Sequence, residues 1–246
     1  MKKLISILLA SLMLSGACAL VACDEGNGQQ PDLPVGDDPY LLLVNKQNPA
    51  GEDYEPEQLC DVDSSYTTGG KQISLEATVA AAVIAMMDAM REDGITNVSI
   101  TSGYRTYEYQ QKLFNRYIAE EKAADPGLTD EQARDKVLTY SAAPGTSEHQ
   151  TGLCVDLFTT EMEGLWNYGS ETPKNPYDKG FAETAAFEWL KEHAHEYGFI
   201  LRFPENKTDI TGYAYESWHY RYVGVEHATK IHERKISLEE YLGANK

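Results

Sequence analysis

The stretch Glu216-Ser217-Trp218-His219-Tyr220-Arg221 constrains the fold more than any other, because it reads as a two-faced strand. Side chains alternate along an extended backbone, so His219 and Arg221 share one face and Trp218 and Tyr220 share the other. The polar pair is then expected to face a cleft while the aromatics enter a core. Glu216 falls off the histidine's face in a regular strand and must sit on a turn just before it if the two act together. A second segment has the same character. In Ser147-Glu148-His149-Gln150-Thr151-Gly152-Leu153-Cys154-Val155-Asp156 the run from Leu153 to Phe158 alternates, and Gly152 permits a turn that brings a loop histidine, His149, beside a strand carboxylate, Asp156.

Helices are expected around these strands. Ser74 can cap one, Glu76 complements its dipole, and Val79, Val83, Met86 and Met90 recur at helical spacing until Gly94, which makes the methionine stripe core. Val98 to Thr101 alternates as a strand running into Ser102-Gly103-Tyr104-Arg105, and a helix follows from Tyr107 to about Lys122. Thr129 and Gln132 form a capping box for a helix reaching Tyr140, Phe181 to Tyr197 reads as a helix stopped by Gly198, and Ile200 to Phe203 as a strand. Helices flanking a small, mainly antiparallel sheet define an α+β domain.

Composition bears on compartment and partners. The chain has 39 acidic against 21 basic side chains and a formal charge of -18, which opposes nucleic acid or an anionic membrane surface as a partner. Lys2 and Lys3 precede an apolar run from Leu4 to Ala22, the arrangement of an export signal. The run ends in Leu20-Val21-Ala22-Cys23, which resembles a bacterial lipobox. Residues 1–22 are then a lipoprotein signal peptide, Cys23 the lipidated anchor, 23–39 a flexible tether and 40–246 the folded domain. Ser15-Gly16-Ala17-Cys18 competes poorly, lacking an aliphatic residue three places before the cysteine. An uncleaved membrane span is the alternative, since the run is near the minimum of about 17 residues. Either arrangement places the domain outside the cytoplasm, at the membrane. The domain itself is expected to be a monomer. Its two cysteines, Cys60 and Cys154, form either a disulfide or two isolated apolar side chains.

Two imidazoles and a carboxylate suit Zn2+, and three protein ligands leave a fourth tetrahedral position for water, as catalytic sites do. His149, Asp156 and His219 are the candidates. Glu216, as a nearby carboxylate outside the ligand set, can accept the water proton and hand it to a leaving amine. Arg105, where a strand ends, can offset a developing oxyanion or hold a substrate carboxylate. Together these parts make peptide hydrolysis.

At these residues the chain resembles the VanY-type metallo D-alanyl-D-alanine carboxypeptidases. That zinc family also includes D-Ala-D-Ala dipeptidases and L,D-carboxypeptidases, and it is related more distantly to the fold of the hedgehog signalling domain. The resemblance is carried by SGYRTYEYQ (102–110), SEHQTGLCVD (147–156) and ESWHYRYVG (216–224), in that order. It implies that His149, Asp156 and His219 hold one zinc ion per chain and that Glu216 is the general base. It also implies that Arg105 stabilises the transition state and that Gln110 and Ser147 help hold the terminal D-alanine. Cys154 departs from the family, where alanine is usual, and raises oxidation or a bridge to Cys60.

The implied function is hydrolysis of the C-terminal D-alanine from peptidoglycan stem peptides. An L,D-carboxypeptidase or a D,D-dipeptidase on the same scaffold is the enzymatic alternative, and a non-catalytic wall-binding lipoprotein is the alternative from another class. Other side chains have plainer readings. His193 and His195 complement a helix end, and His227 and His232 are solvated. Arg221 contacts substrate or makes a salt bridge, Trp218, Tyr220 and Tyr222 line the core or cleft, and Glu120-Glu121 marks an exposed helix face.

Overall fold

Both alternating segments pair with each other at the centre of a sheet. A computed structural model describes residues 38–160 and 180–244, so the expected signal peptide, Cys23 and the tether up to residue 37 lie outside the described residues. The strands are β1 (Leu59–Asp61), β2 (Ser74–Glu76), β3 (Val98–Ser102), β4 (Cys154–Thr159), β5 (Phe199–Leu201) and β6 (His219–Tyr222). β1 and β2 form a separate antiparallel pair, and the other four form an antiparallel sheet in the order β3-β4-β6-β5. Its register sets Asp156 opposite both His219 and, after an irregularity in β3, Ser102. Directly opposed side chains in such a sheet lie within contact reach. The α+β class expected from the sequence is the class observed.

Helices pack on this frame: α1 (Ala77–Glu92), α2 (Tyr107–Ala124), α3 (Asp130–Val137), α4 (Ala185–His193), α5 (Thr208–Thr211), α6 (Val225–Arg234) and α7 (Leu238–Tyr241). Val79, Val83, Met86, Met87 and Met90 of α1 join Ile100, Val155, Leu157 and Tyr220 of the sheet in one buried core. β4 is buried along its whole length. Val155 and Leu157 serve that core, while Cys154 and Asp156 point to the opposite side because strand side chains alternate. No helix among the described residues is long and apolar enough to cross a membrane.

Several expected boundaries shift for local reasons. Ser74 does not cap α1: residues 74–76 pair with β1, and the Glu76 carboxylate caps the helix by accepting from the Thr78 and Val79 amides. The capping box of Thr129 and Gln132 is present. The expected helix from Phe181 to Tyr197 is divided, because Thr184 has extended backbone and caps α4 from within it; a 3-10 turn over Ala194–Tyr197 then ends at Gly198. Glu121 is buried rather than on an exposed face, since α3 packs on α2 and brings Lys136 and the Tyr140 hydroxyl onto its carboxylate. Cys60 is exposed and Cys154 buried, and both are free thiols. His232 is exposed, as expected, although it stacks on His195 with centroids 4.0 Å apart, whereas His227 is half-buried and meets the Tyr241 hydroxyl at 2.7 Å.

Gly103 is where β2 closes over the end of β3. A methyl group there would lie 2.7 Å from the Ser74 carbonyl oxygen and from Ile73 Cγ2, and 2.9 Å from Leu75 Cδ2. Gly103→Ala is expected to cost about 1–3 kcal/mol through overpacking. The melting temperature should fall by about 2–4 °C per kcal/mol for a domain of this size, and an unchanged melting temperature would contradict this packing.

Candidate metal centre

His149 lies in a 3-10 turn, Glu148–Thr151, that Gly152 closes with a left-handed backbone at φ 68°. A side chain at 152 would be strained, and its Cβ would sit 3.0 Å from the Glu76 amide nitrogen. The turn is tied to the loop after β3: the Arg105 amide donates to the His149 carbonyl at 3.0 Å. His149 Nδ1 lies 2.7 Å from the Gly103 carbonyl oxygen. A carbonyl only accepts, so Nδ1 carries a proton and Nε2 is the nitrogen turned toward Asp156. His219 has the opposite arrangement. Its Nε2 faces the Glu148 carboxylate at 3.4 Å, which leaves Nδ1 facing Asp156.

Two imidazole nitrogens converge on the two oxygens of one carboxylate as a result. His149 Nε2 is 3.2 Å from Asp156 Oδ2, His219 Nδ1 is 3.0 Å from Asp156 Oδ1, and the two rings stand nearly perpendicular with centroids 5.0 Å apart. Ligands about 2.0–2.1 Å from a tetrahedral cation are about 3.3 Å from one another. Each of the two nitrogen–oxygen separations is close to that spacing, and each imidazole's other nitrogen faces an outer acceptor, as in ligating histidines.

Glu216 occupies the turn before β6, as its spacing from His219 requires: its carbonyl accepts from the His219 amide, and Oε2 comes within 3.7 Å of His219 Nδ1. Arg105 donates from Nη2 to Asp156 Oδ2 at 2.8 Å, from Nε to Ser102 Oγ at 3.0 Å and from Nη1 to Gln110 Oε1 at 3.4 Å. Gln110 is buried and anchored through Nε2 to the Ala142 carbonyl at 2.8 Å, and Ser147 is buried at the start of the 3-10 turn. The side chains of Arg105 and Glu216 are 20% and 13% exposed, against 6% and 4% for the two histidines, so the centre opens to solvent on the arginine and glutamate side.

Neighbouring charges outweigh burial at Asp156 and at both imidazoles. Burial alone would raise the Asp156 carboxyl, but His149, His219 and Arg105 outweigh it and hold it well below the usual carboxylate range. Burial and Arg105 would lower the His149 imidazole, yet Asp156 and Cys154 hold it up at about 9; burial likewise opposes His219, which Cys154 and Asp156 raise. Glu216 is pushed up to about 7, chiefly by burial, with Asp156 adding to the rise. A base poised near neutrality suits proton transfer.

Arg221 does not face a cleft. It is fully buried, donating to the Tyr40 and Leu42 carbonyls and to Glu148 Oε1 at 2.8 Å, because the segment from Pro39 to Val44 covers that face of β6. Tyr220 and Trp218 enter the core as expected. Three charged residues at the site were not singled out from sequence: Glu148, Arg202 and Glu239. Arg202 bonds Glu148 and Glu239, yet 54 and 37 positions separate these pairs along the chain, and no periodic signal links them.

An antiparallel sheet that gathers a His/Asp/His donor set beside a partly open arginine and glutamate has the build of a mononuclear metallohydrolase. Residues 72–225 match the family model described as VanY, D-alanyl-D-alanine carboxypeptidase, and the chain belongs to that family. It is 39% identical over 206 residues to the D-alanyl-D-alanine carboxypeptidase of Enterococcus faecalis, covering 84% of this chain and 66% of that relative's length. Among solved structures it is similar to a variant of the vancomycin resistance D,D-pentapeptidase VanY in complex with Zn(II), with 38% identity, a TM-score of 0.64 and coverage of 83% of this chain and 99% of that one. It is also similar to the LdcB LD-carboxypeptidase, with 33% identity, a TM-score of 0.68 and coverage of 85% and 88%.

Cys154 stands closest to an alternative ligand set, since its sulfur and one nitrogen from each of His149 and His219 lie within 4.8 Å of one another. Burial would raise this thiol, but the two imidazoles bring it down to about 7. The carboxylate of Asp156 meets both rings at shorter range, so Cys154→Ala is expected to keep about one bound metal per chain. Metal analysis after dialysis checks this, and loss of the metal would move the thiol into the ligand set.

Proposed function

We propose that the chain is a zinc-dependent D,D-carboxypeptidase that removes the C-terminal D-alanine from peptidoglycan stem peptides, with His149, Asp156 and His219 as the metal ligands. The observation that carries this reading is the convergence of His149 Nε2 and His219 Nδ1 on the two oxygens of Asp156 at 3.2 and 3.0 Å. Membership of the carboxypeptidase family and the similarity to a Zn(II)-bound pentapeptidase support it.

Zinc held there supplies Lewis acidity toward the scissile carbonyl and toward water. The chain's own residues do the rest. Glu216, outside the ligand set and within 3.7 Å of His219, takes a proton from the attacking water and returns it to the leaving amine of D-alanine. Arg105 brings a fixed positive charge to the open side, where oxyanion charge develops. Ser102 and Gln110 orient its guanidinium, and the resemblance at SGYRTYEYQ and SEHQTGLCVD supports Gln110 and Ser147 as the residues that hold the terminal D-alanine. The buried walls exclude bulk water and strengthen each of these interactions.

A second reading, cleavage of an L,D bond in a tetrapeptide, is favoured by the LdcB similarity, which has the higher TM-score of the two structures described. The pocket would then accept an L-configured penultimate residue. For location, we infer export and lipid attachment at Cys23, supported by Lys2 and Lys3, the apolar run and the Leu20-Val21-Ala22-Cys23 sequence. The domain then works as a monomer on the outer side of the cytoplasmic membrane.

Purified protein is expected to release free D-alanine from a pentapeptide, to lose that activity to a chelator and to regain it with zinc. Mass spectrometry of pentapeptide and tetrapeptide digests separates the two readings by the substrate that shortens. Glu216→Gln should retain zinc while kcat falls by about 10²–10⁴-fold; full activity in that variant would remove the mechanism. Labelling of cells with a tagged fatty acid should mark the unsubstituted protein and not Cys23→Ala, and an unsubstituted protein that takes up no label would exclude the anchor.

A further inference from the structure

We infer that the C-terminal helix α7 belongs functionally to the metal centre, with Glu239 acting through Arg202 and Glu148 as a positioning residue for His219. Glu239 lies beyond residues 72–225, the part matched by the family model. The inference rests on the reading of His219 as a metal ligand.

The link is a continuous chain of buried charges. Glu148 divides its two oxygens: Oε1 accepts from Arg202 Nε at 2.6 Å and from Arg221 Nη1 at 2.8 Å, while Oε2 faces His219 Nε2 at 3.4 Å. Arg202 uses its other two nitrogens on Glu239, Nη1 to Oε2 at 2.9 Å and Nη2 to Oε1 at 2.6 Å. Asn45 Nδ2 adds a bond to Glu239 Oε1 at 3.2 Å. Arg202 and Arg221 are completely buried, and Glu148 and Glu239 are 4% and 2% exposed. Two guanidiniums and two carboxylates balance, so Glu148 presents a fixed acceptor to His219 rather than uncompensated charge.

This partition gives Glu239 a role beyond fastening α7. Both Nη groups of Arg202 need acceptors, because a buried unpaired donor on a charged group is costly. Glu239 takes them through a two-pronged contact. Without it, Glu148 is the one carboxylate left in the network, and its Oε2, which Arg202 does not already hold, is the oxygen that faces His219. Arg202 would then compete with the imidazole for that oxygen. His219 would lose the bond that fixes its ring orientation and keeps Nδ1 toward Asp156. Arg202 and His219 are also adjacent across the sheet, the Arg202 amide donating to the His219 carbonyl at 3.2 Å, and the Phe203 ring packs on His219 with centroids 5.0 Å apart. Motion of the arginine is therefore transmitted directly to the ligand.

The test uses the full chain in three forms: unsubstituted, Glu239→Gln and Tyr241→Ala. Tyr241 sits on the same helix and contacts His227 of α6, outside the charge network, so its loss loosens α7 while leaving every bond of the network in place. Zinc affinity is measured by competition with a chromophoric chelator, the visible spectrum is recorded after Co(II) substitution, and melting temperatures are taken for all forms. Glu239→Gln is expected to weaken zinc binding by about 10-fold or more, in the range seen for outer-sphere partners, and to shift the Co(II) bands. Tyr241→Ala should lower the melting temperature with affinity and spectrum unchanged. Arg202→Lys, which keeps the charge but cannot bond both carboxylates as a fork, should give the same result as Glu239→Gln and serves if that variant does not fold. Wild-type zinc affinity and Co(II) bands in a folded Glu239→Gln or Arg202→Lys protein overturn the inference. Failure of the unsubstituted chain to bind zinc is seen before any substitution, and it overturns the metal-centre reading together with this one.

Discussion

The antiparallel register that sets Asp156 opposite His219 is the constraint on which the site depends. One carboxylate on the central strand meets an imidazole from the neighbouring strand on one side and an imidazole from a loop turn on the other. A shift of one residue in that pairing would send Asp156 and His219 to opposite faces, because strand side chains alternate. The core enforces the register. Val155 and Leu157 must stay against Met86 and Met90 of α1, and Tyr220 with them, so the apolar face fixes where the polar face lies.

Holding so much charge away from water requires compensation at every step. Burial works against ionised Asp156, Glu148 and both guanidiniums, and each is offset by a partner at hydrogen-bond distance. The arrangement has two layers. The inner one, His149, Asp156 and His219, brings two imidazole nitrogens onto one carboxylate; the outer one, Gly103, Glu148 and the arginines, fixes which nitrogen of each ring faces it. Metal sites depend on both layers, since outer partners set ligand tautomer and orientation. Where the outer layer ends, Arg105 and Glu216 remain partly exposed, and that is the side from which a peptide can enter.

Much of this was legible in the sequence because alternation and turn chemistry are local. The strands around Asp156 and His219, the glycine turn at Gly152, the methionine core of α1 and the turn that carries Glu216 all follow from neighbours within a few residues. The convergence of His149, Asp156 and His219 was suggested by donor chemistry, and the geometry brings the three together. Long-range pairing was less accessible. Of the two roles open to Arg221, substrate contact and a salt bridge, it takes the salt bridge to Glu148, because the segment from Pro39 to Val44 covers the face that would otherwise open to a cleft. Glu121 carried no sign of burial before α3 packed against it. Glu148, Arg202 and Glu239 read as ordinary charged residues, and only the packing of α7 on the sheet unites them.

Diffraction data collected at the zinc absorption edge from crystals grown with the metal test the central claim most directly. One anomalous peak is expected within about 2.0–2.2 Å of His149 Nε2, a carboxylate oxygen of Asp156 and His219 Nδ1. A protein that folds with the same sheet but shows no peak between those three atoms, or a peak bound through His219 Nε2 instead, would contradict it.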